Sequence, residues 1–270
     1  MFAATLLCQV LLATAAFAIP TSEQRFAQRA ARRATGFAHQ SQPNTLSEGT
    51  AQTNLVTNTS HVAYSPNWAG AVLVADTATY TSVTGSFVVP TPSEPSGGSG
   101  TYSASAWVGI DGDTCQTAIL QTGVDFTVSD SGVSYDAWYE WFPDFAHDFS
   151  GISFAAGDTV TVTVTATSTT GGTATITNES NGQTVSNTFS DQPALCQTNA
   201  EWIVEDFESG GSLVSFANFG TVTFTGASAT TNSGSTVGPP GASIFDIEQN
   251  NQVITDVSTT DNSVTISYVG

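Results

Sequence analysis

The stretch "DTVTVTVTATSTTGGTATITN" at residues 158–178 decides the fold class. Side chains alternate between the two faces of an extended strand, so Val160, Val162, Val164 and Ala166 share one face and the intervening threonines share the other. An apolar face opposite a hydroxyl face is the pattern of a half-buried antiparallel strand. Gly171 and Gly172 then read as the turn into a returning strand. Outward from this stretch, the chain beyond Tyr64 is written the same way, in short runs rich in Val, Thr, Ile, Phe, Tyr and Trp, broken by Gly, Ser, Asn and Pro. It carries no helical stripe and no internal repeat. The expected fold is all-β, a two-sheet antiparallel β-sandwich or jelly roll.

The charge is strongly one-sided. The chain has 23 acidic residues and four basic ones, and all four are arginines: Arg25, Arg29, Arg32 and Arg33. Beyond residue 60 lie 21 carboxyl side chains (23 less Glu23 and Glu48) and no Lys or Arg, leaving His61 and His147 as possible cations. Such a domain has no side-chain salt bridge except through histidine, and near neutrality its carboxylates repel one another. Below pH ~4 most of them are neutral by their reference values. We therefore expect a protein suited to acid and destabilised as pH rises past neutrality. The sign excludes nucleic acid and anionic membranes as partners, and like charge favours a monomer.

The opening "MFAATLLCQVLLATAAFAIP" is an apolar run ending in Ala16-Phe17-Ala18, a small-x-small site that reads as a signal peptide over residues 1–18 and implies secretion. No later run approaches ~18 consecutive apolar residues, so no membrane span is expected. Cys8 leaves with the signal peptide, and Cys115 and Cys196 remain with one possible intrachain pairing on an oxidising route. Closing that loop of 81 residues (196 less 115) contributes up to roughly 4.5 kcal/mol in the chain-entropy account. Residues 19–60 read as a propeptide. Its arginines fall at i, i+4, i+7 and i+8, one helical stripe, and "HQSQPNTLSEGTAQTNLVTNTS" at 39–60 follows as a linker without periodicity. The basic stripe is expected to dock on the acidic domain as an intramolecular inhibitor, released when acid neutralises the carboxylates. The catalytic domain is residues 61–270. Asn58-Thr-Ser and Asn178-Glu-Ser are glycosylation sequons.

Alternation also locates candidate chemistry. Trp107, Gly109 and Asp111 share a face in "SAWVGID"; Gln121, Gly123 and Asp125 do in "AILQTGVDF"; Asp136, Trp138 and Glu140 do in "SYDAWYEWF"; Glu201, Ile203 and Glu205 do in "AEWIVEDF". A solvent face elsewhere in this chain is written with Thr and Ser. Tryptophan among carboxyls on that side points instead to a substrate-lined groove. Other chemistries fail on inventory. Two histidines beyond residue 60 and two paired cysteines supply no Ser-His-Asp or Cys-His system, and no HExxH, histidine cluster or phosphate loop is present, so no metal and no cofactor is expected.

The segments "NWAGAVL" (67–73), "AWVGIDGDTCQTAILQTGVD" (106–125), "YDAWYEWFPD" (135–144) and "LCQTNAEWIVEDF" (195–207) resemble the fungal glutamic peptidases, the eqolisins. The resemblance spans nearly all of residues 64–270 and implies a concanavalin-like sandwich, made as a pre-pro form, acting as an acid endopeptidase unaffected by pepstatin. It implies a catalytic pair at Gln121 in "ILQTG" and Glu205 in "IVEDF", and a Cys115–Cys196 disulfide. Asp125, Asp136 and Glu140 are expected to support the pair or the cleft. Trp107, Trp138 and Tyr139 are expected to line it, with Trp68 and Gly70 at its rim. Tyr139 needs a bulge to reach the groove, since alternation places it opposite Trp138. The rival reading is a glycoside hydrolase using Glu140 and Glu205 on a concave sheet, for which Gln121 would have no use. A carbohydrate-binding sandwich is the second rival, and it would not need a propeptide.

Overall fold

The computed structural model describes residues 39–47 and 62–270. The signal-peptide and arginine-stripe expectations, with Asn58 and His61, lie outside the described residues.

The diagnostic stretch forms a hairpin of Thr159–Ser168 with Gly171–Asn178, antiparallel, with Val164 opposite Ala174 and Val162 opposite Ile176. The four apolar residues of its first strand are buried. The turn falls at Thr169-Thr170, and the two glycines open the returning strand, with a register shift between them. Packing explains the difference, because a Cβ on Gly172 would meet the Thr165 carbonyl oxygen at 2.6 Å and Leu120 at 2.8 Å. Asn178 closes this strand fully buried, its amide nitrogen donating to the Ser153 carbonyl and to Asp158, each at 2.8 Å. Both hydrogens of that nitrogen are spent inside the fold.

From this hairpin an eight-stranded sheet extends in the order Gln183–Phe189, Gly171–Asn178, Thr159–Ser168, Tyr80–Val88, Thr221–Thr231, Ser263–Tyr268, Thr255–Thr259, with Thr236–Val237 beside Thr221–Thr231. A nine-stranded sheet packs against it, centred on Trp68–Val74, Asn199–Glu205, Tyr102–Ile110, Ile119–Ser129 and Gly132–Phe142 in that spatial order. Between the sheets lies one continuous core, including Phe87, Phe126, Phe224, Trp141, Trp202 and the valines of the hairpin. No helix occurs among the described residues, and none there is long and apolar enough to cross a membrane. The fold is the expected all-β sandwich, and Cys115 is bonded to Cys196.

The other face of the nine-stranded sheet holds a second, smaller apolar cluster of Trp68, Val72, Trp107, Ile119, Trp138, Ile203 and Phe245. Three cross-strand rows traverse it. Glu201 pairs with Gly109, Gly109 with Gln121 and Gln121 with Glu140; Ile203, Trp107, Gly123 and Trp138 form the next row; Glu205, Ser105, Asp125 and Asp136 form the third. Glycines in the first two rows make room for one indole. A Cβ on Gly123 would stand 2.4 Å from the Trp107 Cβ, and one on Gly109 2.7 Å from its ring. The bare position beside Gln121 thus serves Trp107 rather than an open space.

Candidate active site

Glu205 ends the Asn199–Glu205 strand, wholly buried. Its Oε2 accepts from Trp107 Nε1 at 3.0 Å and its Oε1 from the backbone N–H of Gln42 at 3.0 Å. Burial pushes its pKa up to about 7, opposed by the Gln42 N–H, the His39 charge, the Ser41 hydroxyl and Trp107. Glu140, also fully buried, accepts from the Ser41 N–H at 3.2 Å through Oε2. Burial holds its carboxyl well above the usual range, with the charges of Glu205, Asp144 and Asp125 adding to the effect against the Ser41 N–H. Gln121 lies beside Glu140 in the same row, fully buried, and neither atom of its amide has a hydrogen-bond partner among the described residues. An unpartnered buried amide is costly, and here it faces the groove with both N–H donors and its carbonyl oxygen unspent.

Curvature brings these groups together. On a flat ladder Glu140 and Glu205 would sit three strands, about 14 Å, and four residues, about 13 Å, apart. Yet consecutive backbone N–H groups of one dipeptide, Ser41-Gln42, reach both. The sheet curls into a trough, and the dipeptide lies in it.

The patternless linker expected over 39–60 is therefore something else at its start. Residues 39–47 run along the trough in an extended form consistent with Pro43, which disfavours the helical region for the residue before it. His39–Gln40 adds to Glu208–Ser209 as an antiparallel strand. Trp68 Nε1 donates to the Gln42 carbonyl at 2.9 Å, Gln116 Nε2 to the Asn44 carbonyl at 2.6 Å, and the Asn44 side chain to Asp113 at 2.7 Å. Sequence reasoning missed Phe207, Asn67, Asp113 and Gln116 as groove residues. Asn67 and Gln116 reach backbone carbonyls of the segment, contacts that leave no side-chain pattern, and Asp113 and Phe207 lie outside the strands, where alternation does not apply.

The expected cleft residues divide. Trp68, Trp107 and Trp138 form the floor, Trp68 edge-on to Trp107 with ring centroids 5.0 Å apart, and Trp138 Nε1 bonded to Ser105 at 2.9 Å. Asp125 binds His39 rather than the catalytic pair, and Asp136 is its cross-strand neighbour. Tyr139 is not in the cleft. The ladder between Ile119–Ser129 and Gly132–Phe142 runs without a bulge, so alternation holds and Tyr139 turns to the other side, against Phe149 and Phe189. Gly70 is no rim but a buried backbone requirement, at φ 153° with a virtual Cβ 2.0 Å from the Trp202 carbonyl oxygen. Asp111 leaves the groove face as well. At φ 71° it turns past the strand end to accept the N–H groups of Gln197, Thr198 and Asn199.

Glu201, in the row of Gln121, is fully buried with neither carboxyl oxygen hydrogen-bonded among the described residues, and burial raises its pKa well above the usual range, helped by Asp111 and Asp113. His147 is exposed, 3.2 Å from Asp144, away from both catalytic candidates. The one cluster of metal-type ligand atoms among the described residues is Asp111 with Cys115 and Cys196. Its sulfurs are bonded to each other, so neither is available as a thiolate ligand.

A sandwich whose concave sheet holds an extended peptide against buried glutamates, with a buried glutamine in the row of one of them, has the frame of a glutamic peptidase, a hydrolase of peptide bonds. The profile of the Peptidase A4 family matches residues 66–268, and the chain belongs to that family. It is 52% identical to Aspergillopepsin-2 of Aspergillus niger, covering 98% of this chain and 99% of that one. It is 43% identical to Scytalidopepsin B of Scytalidium lignicola over 78% of this chain and 81% of that one. The crystal structure of scytalido-glutamic peptidase with a transition-state analogue inhibitor superposes with a TM-score of 0.69 at 45% identity, over 76% of this chain and 98% of that one.

Proposed function

We propose that this protein is a secreted acid endopeptidase in which Glu205 and Gln121 carry the chemistry and residues 39–47 belong to a propeptide that blocks them. The observation that carries the reading is the pair itself: a buried carboxyl and a buried, unpartnered amide on one trough that already accepts a peptide backbone. Glu205 takes a proton from a water held between it and the Gln121 amide, and the water oxygen bonds to the scissile carbonyl carbon. The Gln121 N–H stabilises the oxyanion that forms, a contribution of ~3–4 kcal/mol for a single donor. The tetrahedral intermediate collapses as the C–N bond breaks, and Glu205 returns its proton to the leaving nitrogen. A neutral amide partner leaves one group to titrate, which suits acid.

The docked segment does not satisfy this arrangement. It spends Oε1 of Glu205 on an N–H donor and leaves the Gln121 amide unengaged, so it binds as an inhibitor rather than a substrate. It also covers Glu205. Burial is the main reason that its pKa stands at about 7, and removal of the segment opens the carboxyl to the water it would activate while taking away the opposing Gln42, His39 and Ser41 contacts. Secretion is supported by the apolar start ending in Ala16-Phe17-Ala18 and by the disulfide. No observation in the trough favours the glycosidase alternative, whose pair would be Glu140 and Glu205.

The test is digestion of a denatured protein at pH ~3.5 with pepstatin present, comparing wild type with Glu205→Gln. Wild-type cleavage and a loss of about 100- to 10,000-fold in the variant is expected. Activity retained in Glu205→Gln removes Glu205 from the mechanism.

A further inference from the structure

The row that carries Gln121 holds more polar groups than the reaction above employs. Across its strands it runs Glu201, Gly109, Gln121 and Glu140. Glu201 and Gln121 are both fully buried, and none of their four terminal atoms has a hydrogen-bond partner among the described residues. A buried carboxyl and a buried amide left separately unsatisfied are costly, and their meeting offsets that cost. Only Gly109 stands between them. A Cβ there would lie 2.6 Å from Glu201 Oε1, so the carboxyl leans along the row over the bare glycine. Neighbouring strands are about 4.8 Å apart, which puts that oxygen within reach of the Gln121 amide, directly or through one water. The benzene edge of Trp107 borders the same space, with Cζ3 2.7 Å from the same position.

The surroundings of Glu201 favour its proton. Burial raises its pKa well above the usual range, and the charges of Asp111 and Asp113, in the loop after Tyr102–Ile110, add to the effect. Glu140 lies beyond Gln121, Asp125 lies farther along the Gln121 strand, and Glu205 ends the strand of Glu201 itself. Its other neighbour, Trp68–Val74, sets Val72 opposite it and contains no titratable residue. The docked segment brings His39, whose charge acts on Glu205. Glu205 differs in accepting from Trp107, a donor that remains when the segment leaves. Glu201 accepts from nothing among the described residues. As pH rises, Glu205 therefore ionises first and Glu201 keeps its proton.

We propose that Glu201 is the positioning residue for Gln121: as a neutral acid its O–H donates to the Gln121 carbonyl oxygen and leaves the amide nitrogen facing the scissile carbonyl. The inference rests on the peptidase reading above and adds the group that orients its amide. The two ends of an amide are alike in shape, and only the nitrogen can donate to the oxyanion. An acid O–H selects that orientation by taking the oxygen, which keeps a second lone pair for the attacking water. A carboxylate at Glu201 has no proton to give and accepts from the nitrogen instead, turning the donor away from the substrate. The reaction then needs Glu205 ionised and Glu201 neutral together.

The experiment uses the full chain, activated in acid, cleaving one peptide over a range of pH, with rates normalised to the folded fraction read by far-ultraviolet dichroism. At pH ~3.5, Glu201→Leu should lower kcat by about 10- to 100-fold with KM within about twofold, less than loss of the amide outright. Glu201→Gln donates an N–H but cannot ionise, and should recover kcat to within about fivefold of wild type. Its kcat/KM should also persist at least about one pH unit farther up the alkaline limb. In a Gln121→Ala background, Glu201→Leu should cost less than about twofold more, because the two residues act as one unit. A Glu201→Leu kcat within twofold of wild type, no recovery in Glu201→Gln, an unmoved alkaline limb or a full additional loss in Gln121→Ala overturns the inference. If Glu201→Leu does not fold, the alkaline limb of Glu201→Gln decides alone. A wild type that cleaves no peptide fails the peptidase reading and takes this inference with it, whereas an active wild type with indifferent Glu201 variants overturns this inference only.

Discussion

The two sheets of this molecule obey one rule of alternation and put it to opposite use. On the outer face of the eight-stranded sheet, hydroxyls pair across strands: Ser82 with Thr165 at 2.9 Å, Thr84 with Thr163 at 2.7 Å, Ser86 with Thr161 at 2.8 Å, Thr223 with Thr265 at 3.1 Å. These neutral pairs are indifferent to pH. On the concave face of the nine-stranded sheet, Glu140, Glu201 and Glu205 are fully buried carboxyls, and their raised pKa values keep them largely protonated in acid. A strand repeat says which residues share a face. What lies over that face decides whether a polar residue there is cheap or costly, and costly groups retained together mark chemistry.

Removing single polar groups should affect the two faces very differently. Gln121→Ala should lower kcat/KM on a protein substrate by about 100- to 1000-fold through loss of one oxyanion donor, with the far-ultraviolet dichroism unchanged. Activity within fivefold of wild type would return Gln121 to the class of ordinary buried amides. Next in size is Asp111→Ala. Its carboxylate accepts backbone N–H groups from Gln197 and Thr198, each at 2.8 Å, and Asn199 at 3.2 Å, and hydrogen bonds to a charged group contribute about 1.5–3 kcal/mol each. Urea unfolding should show a loss of at least about 3 kcal/mol.

The titration of the buried carboxyls gives a third prediction. Burial raises Asp246 to about 6, Glu205 to about 7 and Asp206 to about 8 from ordinary values near 4. The folded form therefore binds more protons than the unfolded one between those limits, and stability falls as pH rises. The contribution is fully present below about pH 4 and is lost progressively up to about pH 8. Melting temperature should drop steadily over that window, and Glu201→Gln should flatten the drop. A melting temperature that rises from pH 4 to 8 would mean that the carboxyls are not held neutral. The smallest effect is expected on the hydroxyl face, where Thr163→Val should change stability by less than about 1 kcal/mol and leave proteolysis and its pH profile untouched.

Much of this was legible in the chain. Val160 to Ala166 declared a half-buried strand, and the same alternation put Gln121, Glu140 and Glu205 each on the polar face of its own strand. It also placed Tyr139 on the opposite face, and assigning it to the cleft against that rule was the error. Gly171-Gly172 misled because glycine answers two needs, a turn and a close approach, and at Gly172 the approach of Thr165 and Leu120 prevailed. Residues 39–47 were illegible. Their contacts run from backbone N–H and C=O groups, which every residue possesses, and His39 in "HQSQPNT" looks like any linker histidine.

Fold class, disulfide, acidic character and the strand faces that carry the reactive residues were all written in the chain, because alternation and composition are local properties of the covalent polymer. Long-range packing alone curls the nine-stranded sheet until Glu140 and Glu205 reach one dipeptide, lays the chain's own segment in the trough and brings Asp125 to an imidazole. Curvature and burial depend on which surfaces meet across long separations in sequence, and the energies of buried charge follow from that meeting rather than from the residues alone.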